Sequence, residues 1–228
     1  MKLGIILTPD NRSKAYIQKL VENNITLSSI LFMNDSRTEK SYPDDVINIS
    51  KKNGFDISKS VKDTLIEHNL VFKEFSFVDI NHKDLVKHVK NNEEGFLIFT
   101  GGGILKKEIL NSGVEFIHFH PGIVPNYRGS TCFYYSILNE ENCGVTAYIM
   151  DEKLDTGDII YQKKFNKPDH IFVDEVYDPF IRSETLVELI KKDILQKNNH
   201  KKQDPLEGET FFIIHPVLKH ISILNCVS

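Results

Sequence analysis

The 228-residue chain has only three cysteines, Cys132, Cys143 and Cys226, and no CxxC pair. That scarcity excludes a disulfide scaffold and fits a reducing compartment, where lone thiols serve as small buried hydrophobes. Long hydrophobic runs are missing too. The opening MKLGIILTPD is cut off at Thr8-Pro9-Asp10, too short for a signal segment, and nothing approaches the roughly eighteen apolar residues of a membrane span. The expectation is a cytoplasmic protein with no membrane partner. A positive surplus is absent as well: 28 Lys and Arg face 32 Asp and Glu, a formal charge of -4. That balance gives no support to a large nucleic-acid footprint, and pairs such as Lys51-Lys52 and Lys201-Lys202 read as solvated surface. No internal repeat, low-complexity stretch, GxGxxG or Walker motif appears, so phosphate binding by a glycine loop is not indicated.

What is present is apolar content, 40% of residues, enough for a sizeable core. Short β-rich runs alternate with helical patterns, the signature of an α/β fold with a mostly parallel, Rossmann-like sheet and flanking helices. Leu3–Leu7 reads as a strand. A helix follows over Ser13–Asn23 with Tyr16, Ile17, Leu20 and Val21 on one face and Ser13 as a candidate N-cap. A strand at Leu27–Phe32 comes next. Residues 34–57 read as a polar, aperiodic excursion. Val61, Leu65 and Ile66 mark a helix, VFKEFSFV a strand, Lys83–Lys90 a helix and GFLIFT a fourth strand. A short helix then leads to the FIHFH strand, and a helical pattern runs from Thr131 to Asn139. GVTAYIM and IIYQKKF read as strands, and an amphipathic helix carries Leu186, Leu189, Ile190 and Ile194. The expected division is a catalytic domain over 1–198 and a C-terminal extension over 199–228. The apolar tail Phe211–Leu224 either caps its own sheet or covers a neighbouring subunit in a homodimer.

Two segments carry chemistry. In FIHFHPG, His118 and His120 lie two apart on a strand, so both side chains take one face near its carboxyl end, where Pro121-Gly122 stops it. Ligands of open α/β sheets bind outside the carboxyl ends of strands. In DEKLDTGD, Asp155 sits before a Thr-Gly turn. A histidine beside a buried carboxylate is an acid/base unit, and His120 with Asp155 forms one candidate; a simple Asx-turn at Asp155 is the alternative. His118, His120 and Asp155 are also a possible three-ligand metal set for a hydrolase.

The order HFHPG, Pro125, Arg128-Gly129, a helix, a GVT strand and LDTGDII resembles the formyltransferase family, strongly from about Gly101 to Phe165. The resemblance implies transfer of a formyl group from N10-formyltetrahydrofolate, as co-substrate, to a primary amine. It places the family's catalytic histidine on His120 and its aspartate on Asp155. The family's asparagine falls on His118, a departure: histidine can donate to an oxyanion as asparagine does, but with a pH dependence of its own. Folate-binding groups map to the loop Gly102, Gly103, Ile104 and Leu105 and to Met150, Asp151, Glu152 and Leu154. Tyr127, Arg128, Tyr134 and Tyr135 are candidates for the acceptor side, with a structural role for Arg128 left open. About 60 residues follow Phe165, so the expected acceptor is a small amine, a nucleotide-linked amino sugar, rather than tRNA. A folate-binding pseudoenzyme that lost turnover with the asparagine is a further alternative.

Overall fold

Apolar runs bounded by Pro, Gly and Asn become the strands, as their patterning requires. The computed structural model describes residues 2–34, 40–77, 79–91, 94–101, 103–197, 200–204 and 206–227. They fall into two compact units, Met1–His118 and Phe119–Ser228, and the chain passes from one to the other within a single strand.

The first unit contains β1 (Leu3–Leu7), α1 (Asn11–Glu22), β2 (Ser29–Met33), α2 (Asp44–Lys52), α3 (Val61–Glu67), β3 (Lys73–Phe75), α4 (Lys83–Lys90), β4 (Phe96–Phe99) and α5 (Lys107–Leu110). It ends in β5 (Glu115–His120), whose last two residues open the second unit. The strands pair in parallel in the order β3-β2-β1-β4-β5, the Rossmann-like arrangement expected of βαβ units. Ile5, Ile6, Leu7, Leu31, Leu97 and Ile98 are buried, which is why these strands read as near-continuous apolar runs rather than alternating ones.

Several boundaries differ from the sequence expectation. Asp10, not Ser13, caps α1, its carboxylate accepting from Ser13 N at 2.8 Å. The Ser13 hydroxyl is buried instead, 2.6 Å from Thr100 Oγ1. The polar excursion contains α2, whose Asp44 and Asp45 lie at its positive end and Lys51 and Lys52 at its negative end. Only Val46 and Ser50 of α2 are buried, so its apolar stripe is too thin to show in periodicity. β3 is three residues long, not eight, because Val71 is almost fully exposed; Val78 lies outside the described residues.

The second unit holds β6 (Arg128–Gly129), α6 (Cys132–Glu140), β7 (Asn142–Ile149), β8 (Ile159–Asn166), α7 (Asp178–Lys191), β9 (Thr210–Phe211) and α8 (Pro216–Cys226). β7 and β8 form an antiparallel pair, and β6 pairs with β9 in parallel. A π-helical turn, Val173–Tyr177, leads into α7, and Ile194 falls in a 3-10 turn after it rather than on the helix. All three cysteines are buried and unbridged. The apolar tail is β9 followed by α8, which leaves Val217, Leu218, Ile221 and Leu224 exposed. Among the described residues, no helix is long and apolar enough to cross a membrane.

Candidate active site

β5 delivers His120 and the β7–β8 connection delivers Asp155. His120 is 2% exposed and Asp155 5%, and His120 Nδ1 lies 3.4 Å from Asp155 Oδ2. The other ring nitrogen, Nε2, lies 2.8 Å from the carbonyl of Tyr127. In the neutral tautomer that donates Nε2–H to this carbonyl, the Nδ1 lone pair faces the carboxylate, so a proton taken up at Nδ1 arrives beside a negative charge. Burial disfavours the charged ring and holds the His120 pKa below the usual histidine value, opposed by Asp155 and the Tyr127 carbonyl.

Two glycines make this approach possible. A Cβ on Gly122 would lie 2.8 Å from His120 Nε2 and 2.6 Å from the Tyr127 oxygen, so only glycine lets the chain turn back onto the ring. A Cβ on Gly157 would lie 1.6 Å from the Ile149 carbonyl oxygen, which fixes the tight return of the aspartate turn.

Asp155 does not make the local Asx-turn. Its carboxylate accepts from Gly129 N at 2.7 Å and from the Tyr148 hydroxyl at 2.7 Å, partners 26 and 7 residues away. Asp151 makes the local contacts, accepting from Lys153 N at 3.0 Å and from the Thr156 hydroxyl at 2.9 Å. Asp155 itself has a left-handed backbone, φ 53°, a conformation that persists only where neighbours hold it. Tyr148 is buried, and burial together with Asp155 pushes its pKa well up, so it remains a neutral donor to the carboxylate.

Arg182 on α7 completes the surroundings. Its Nη1 donates to the Phe119 carbonyl at 2.5 Å and its Nε to Asp178 at 2.6 Å, which ties the residue before His120 to the helix. Gly129 and Gly157 lie inside the Arg128-Gly129 and Asp-Thr-Gly turns that the sequence displays, whereas Tyr148 and Arg182 support the site with no motif of their own.

The remaining expected residues separate into groups. His118 is half-buried in the first unit, with Nδ1 3.4 Å from the Phe99 carbonyl. In the glycine loop, Gly102 lies outside the described residues, Gly103 has φ 113°, Ile104 is exposed and Leu105 is buried. Asn81 ties this loop down by donating to Ile104 O at 3.0 Å and accepting from Lys106 N at 2.7 Å. In the aspartate loop Met150 is half-buried, while Asp151, Glu152 and Leu154 are exposed.

On the acceptor side, Tyr134 is 1% exposed and its pKa is raised by burial, so it is a core ring and no surface for a ligand. An aromatic pair on a helix does not reveal from sequence which ring faces inward. Tyr127 is buried, stacked on Phe211, with its hydroxyl donating to Glu140 at 2.9 Å. Tyr135 is half-buried, its hydroxyl donating to the Phe212 carbonyl at 3.2 Å. Arg128 is 4% exposed and donates to Gln203 Oε1, the Glu207 carbonyl and the Asp204 carbonyl, which favours the structural alternative for it. Among the described residues, no group of three or more His, Cys, Asp or Glu is arranged to hold a metal ion, so the three-ligand set gains no support.

Residues 27–184, which include β5, His120 and Asp155, match the family described as formyl transferase. The chain belongs to that family. The methionyl-tRNA formyltransferase of Clostridioides difficile (strain 630) is 29% identical over 208 residues, 89% of this chain and 62% of the relative. This chain therefore spans less than two thirds of that relative's length. Among solved structures, a sugar N-formyltransferase from Shewanella sp FDAARGOS_354 superposes with a TM-score of 0.60 at 20% identity, covering 100% of this chain and 89% of that one. The N-formyltransferase of Helicobacter canadensis, in complex with folinic acid and dTDP-3-aminofucose, superposes at 0.64 and 15% identity, covering 100% and 80%. At these identities the likeness is one of fold, and it agrees with the α/β, mostly parallel architecture.

Proposed function

We propose that the protein transfers a formyl group from N10-formyltetrahydrofolate to the primary amine of a small molecule, a nucleotide-linked amino sugar. The observation that carries the reading is the buried pair His120 Nδ1 and Asp155 Oδ2 at 3.4 Å, inside the segment that matches the family. The amine nitrogen attacks the formyl carbon, a C–N bond forms and an oxyanion develops. His120 takes the amine proton at Nδ1, where Asp155 stabilises the imidazolium. The bond to N10 then breaks, and N10 takes the proton from the His120 imidazolium and leaves as tetrahydrofolate, which returns His120 to its neutral form. His118 supplies a ring N–H to the oxyanion in the place where the family has asparagine, an interaction of about 3 kcal/mol in comparable sites. The loops of Gly103 to Leu105 and Met150 to Leu154 are the folate-binding segments of this proposal.

The amino-sugar acceptor draws on structural neighbours described as sugar N-formyltransferases, one with dTDP-3-aminofucose bound. The named curated relative instead favours methionyl-tRNA as a second reading. The exposed apolar face of α8 supports a homodimer as part of the same proposal. The test is incubation with 10-formyltetrahydrofolate and a panel of dTDP- and UDP-linked amino sugars, with initiator methionyl-tRNA alongside. Tetrahydrofolate release with one sugar class supports the reading. Release only with the tRNA transfers it to the second, and release with none, where folate still binds, leaves the pseudoenzyme reading.

A further inference from the structure

The catalytic-loop aspartate is held from a distant part of the chain. Ile159, just after the aspartate turn, bridges Lys201 through reciprocal backbone bonds of 2.8 Å, which brings Gln203 against that turn. Gln203 Nε2 donates to the carbonyls of Asp155 at 3.1 Å and Gly157 at 2.7 Å. Its Oε1 accepts from Arg128 Nε at 3.1 Å and Nη2 at 3.0 Å. Arg128 is fixed in turn by the carbonyls of Glu207 at 2.7 Å and Asp204 at 3.0 Å. The same segment pairs through β9 with β6, where Gly129 N holds Asp155 Oδ2, and no Cβ fits at Gly129 because it would lie 2.1 Å from the Phe211 oxygen. Gln203 lies beyond the residues 27–184 that match the family.

We propose that Gln203 is a positioning residue for Asp155: its carboxamide couples the buried Arg128 guanidinium to the left-handed aspartate turn and thereby sets the carboxylate against His120. The chemistry requires an amide. One end must accept from a cation and the other must donate to two carbonyls, which only Gln or Asn does, and Asn is one methylene shorter. Glutamate at 203 still satisfies Arg128 and offers the two carbonyls no donor. Without those donors, the turn has lost two of the bonds that hold a backbone conformation few residues adopt unaided. The inference rests on the His120–Asp155 reading above.

The test compares the full chain with Gln203→Glu and Gln203→Ala, using three readouts: the His120 ring-proton titration by NMR without substrate, kcat and KM for formyl transfer, and thermal melting. The groups facing His120 are Asp155 from the turn, the Tyr127 carbonyl, and Arg182 and Asp178 from α7. The Cys132 thiol, near Asp155, is pushed up to about 12 and stays neutral throughout. If Gln203 positions Asp155, the imidazolium loses part of its carboxylate partner in Gln203→Glu and its midpoint falls. An added negative charge alone would raise it, so the sign separates the two effects. The same variant keeps the Arg128 acceptor and should still fold, with its melting point lowered by the two lost turn bonds, and it should lose roughly tenfold to a hundredfold in kcat with KM little changed, the scale of a misplaced catalytic group. An unmoved or raised midpoint overturns the proposal, whatever happens to turnover. Should Gln203→Ala fail to fold, Gln203→Glu still decides, because it keeps the Arg128 acceptor. Should wild type release no tetrahydrofolate, the functional reading fails while the titration still tests the coupling.

Discussion

At the residue scale, His120 sits between two acceptors, Asp155 Oδ2 and the Tyr127 carbonyl, in a buried setting that penalises its charge. In the proposed reaction, His120→Ala and Asp155→Asn should each lower turnover by about a hundredfold or more, the usual scale of acid/base assistance; steady-state rates of tetrahydrofolate release check this. His118 should behave differently. His118→Ala should lose activity, while His118→Asn, which restores an amide donor, should keep it over a wider pH range. The depressed pKa of His120 also has a stability consequence. Its charged form is disfavoured in the fold, so this contribution is fully present above the ordinary value of 6.5 and is lost as pH falls below it toward the folded-state value. His88 and His170 are shifted the same way by burial, so the informative quantity is a difference. Urea midpoints measured from neutral to mildly acidic pH should decline less steeply in His120→Gln than in wild type.

The candidate pair was legible at this scale because His-Pro-Gly and Asp-Thr-Gly are short and chemically pointed. The partners of Asp155 were not. Tyr148 and Gly129 meet its carboxylate through the fold, and the local Asx contact that is the alternative reading of Asp155 is made by Asp151.

At the element scale, long segments with strong apolar patterning were read closely: β1, α4 and β5 fall where Leu3–Leu7, Lys83–Lys90 and FIHFH place them. α2 escaped because its buried face is one valine and one serine, and β3 was overdrawn because β-prone residues such as Val71 lie in exposed chain. The turns around the site are the elements least tolerant of change. Gly122→Ala places a Cβ 2.8 Å from His120 Nε2 and should cost about 1 to 3 kcal/mol with loss of the Tyr127 bond. Gly157→Ala meets backbone at 1.6 Å, where no flexible side chain can yield, and should cost more. Chemical denaturation of both variants measures the order; equal stability of the Gly157 variant and wild type would contradict the geometry.

At the scale of the whole molecule, the family match covers 27–184 and so runs through the boundary between the two compact units. The segment beyond it, from Lys201 to Phe211, closes around Arg128 and the aspartate turn. Sequence reading could not anticipate this, since Gln203 has no periodicity or motif and its partners lie 46 to 75 residues away. In the proposed reaction the proton is moved by His120 and Asp155, so turnover should survive dialysis against chelator; activity that is lost with chelator and restored by a divalent metal would favour the three-ligand alternative instead.

The most direct test of formyl transfer at the His120–Asp155 pair is mass spectrometry of the acceptor. Nucleotide-linked amino sugars are incubated with 10-formyltetrahydrofolate and either wild type or Asp155→Asn. The account predicts an acceptor heavier by one formyl group with wild type and almost none with the variant. Equal formylation by both would contradict it.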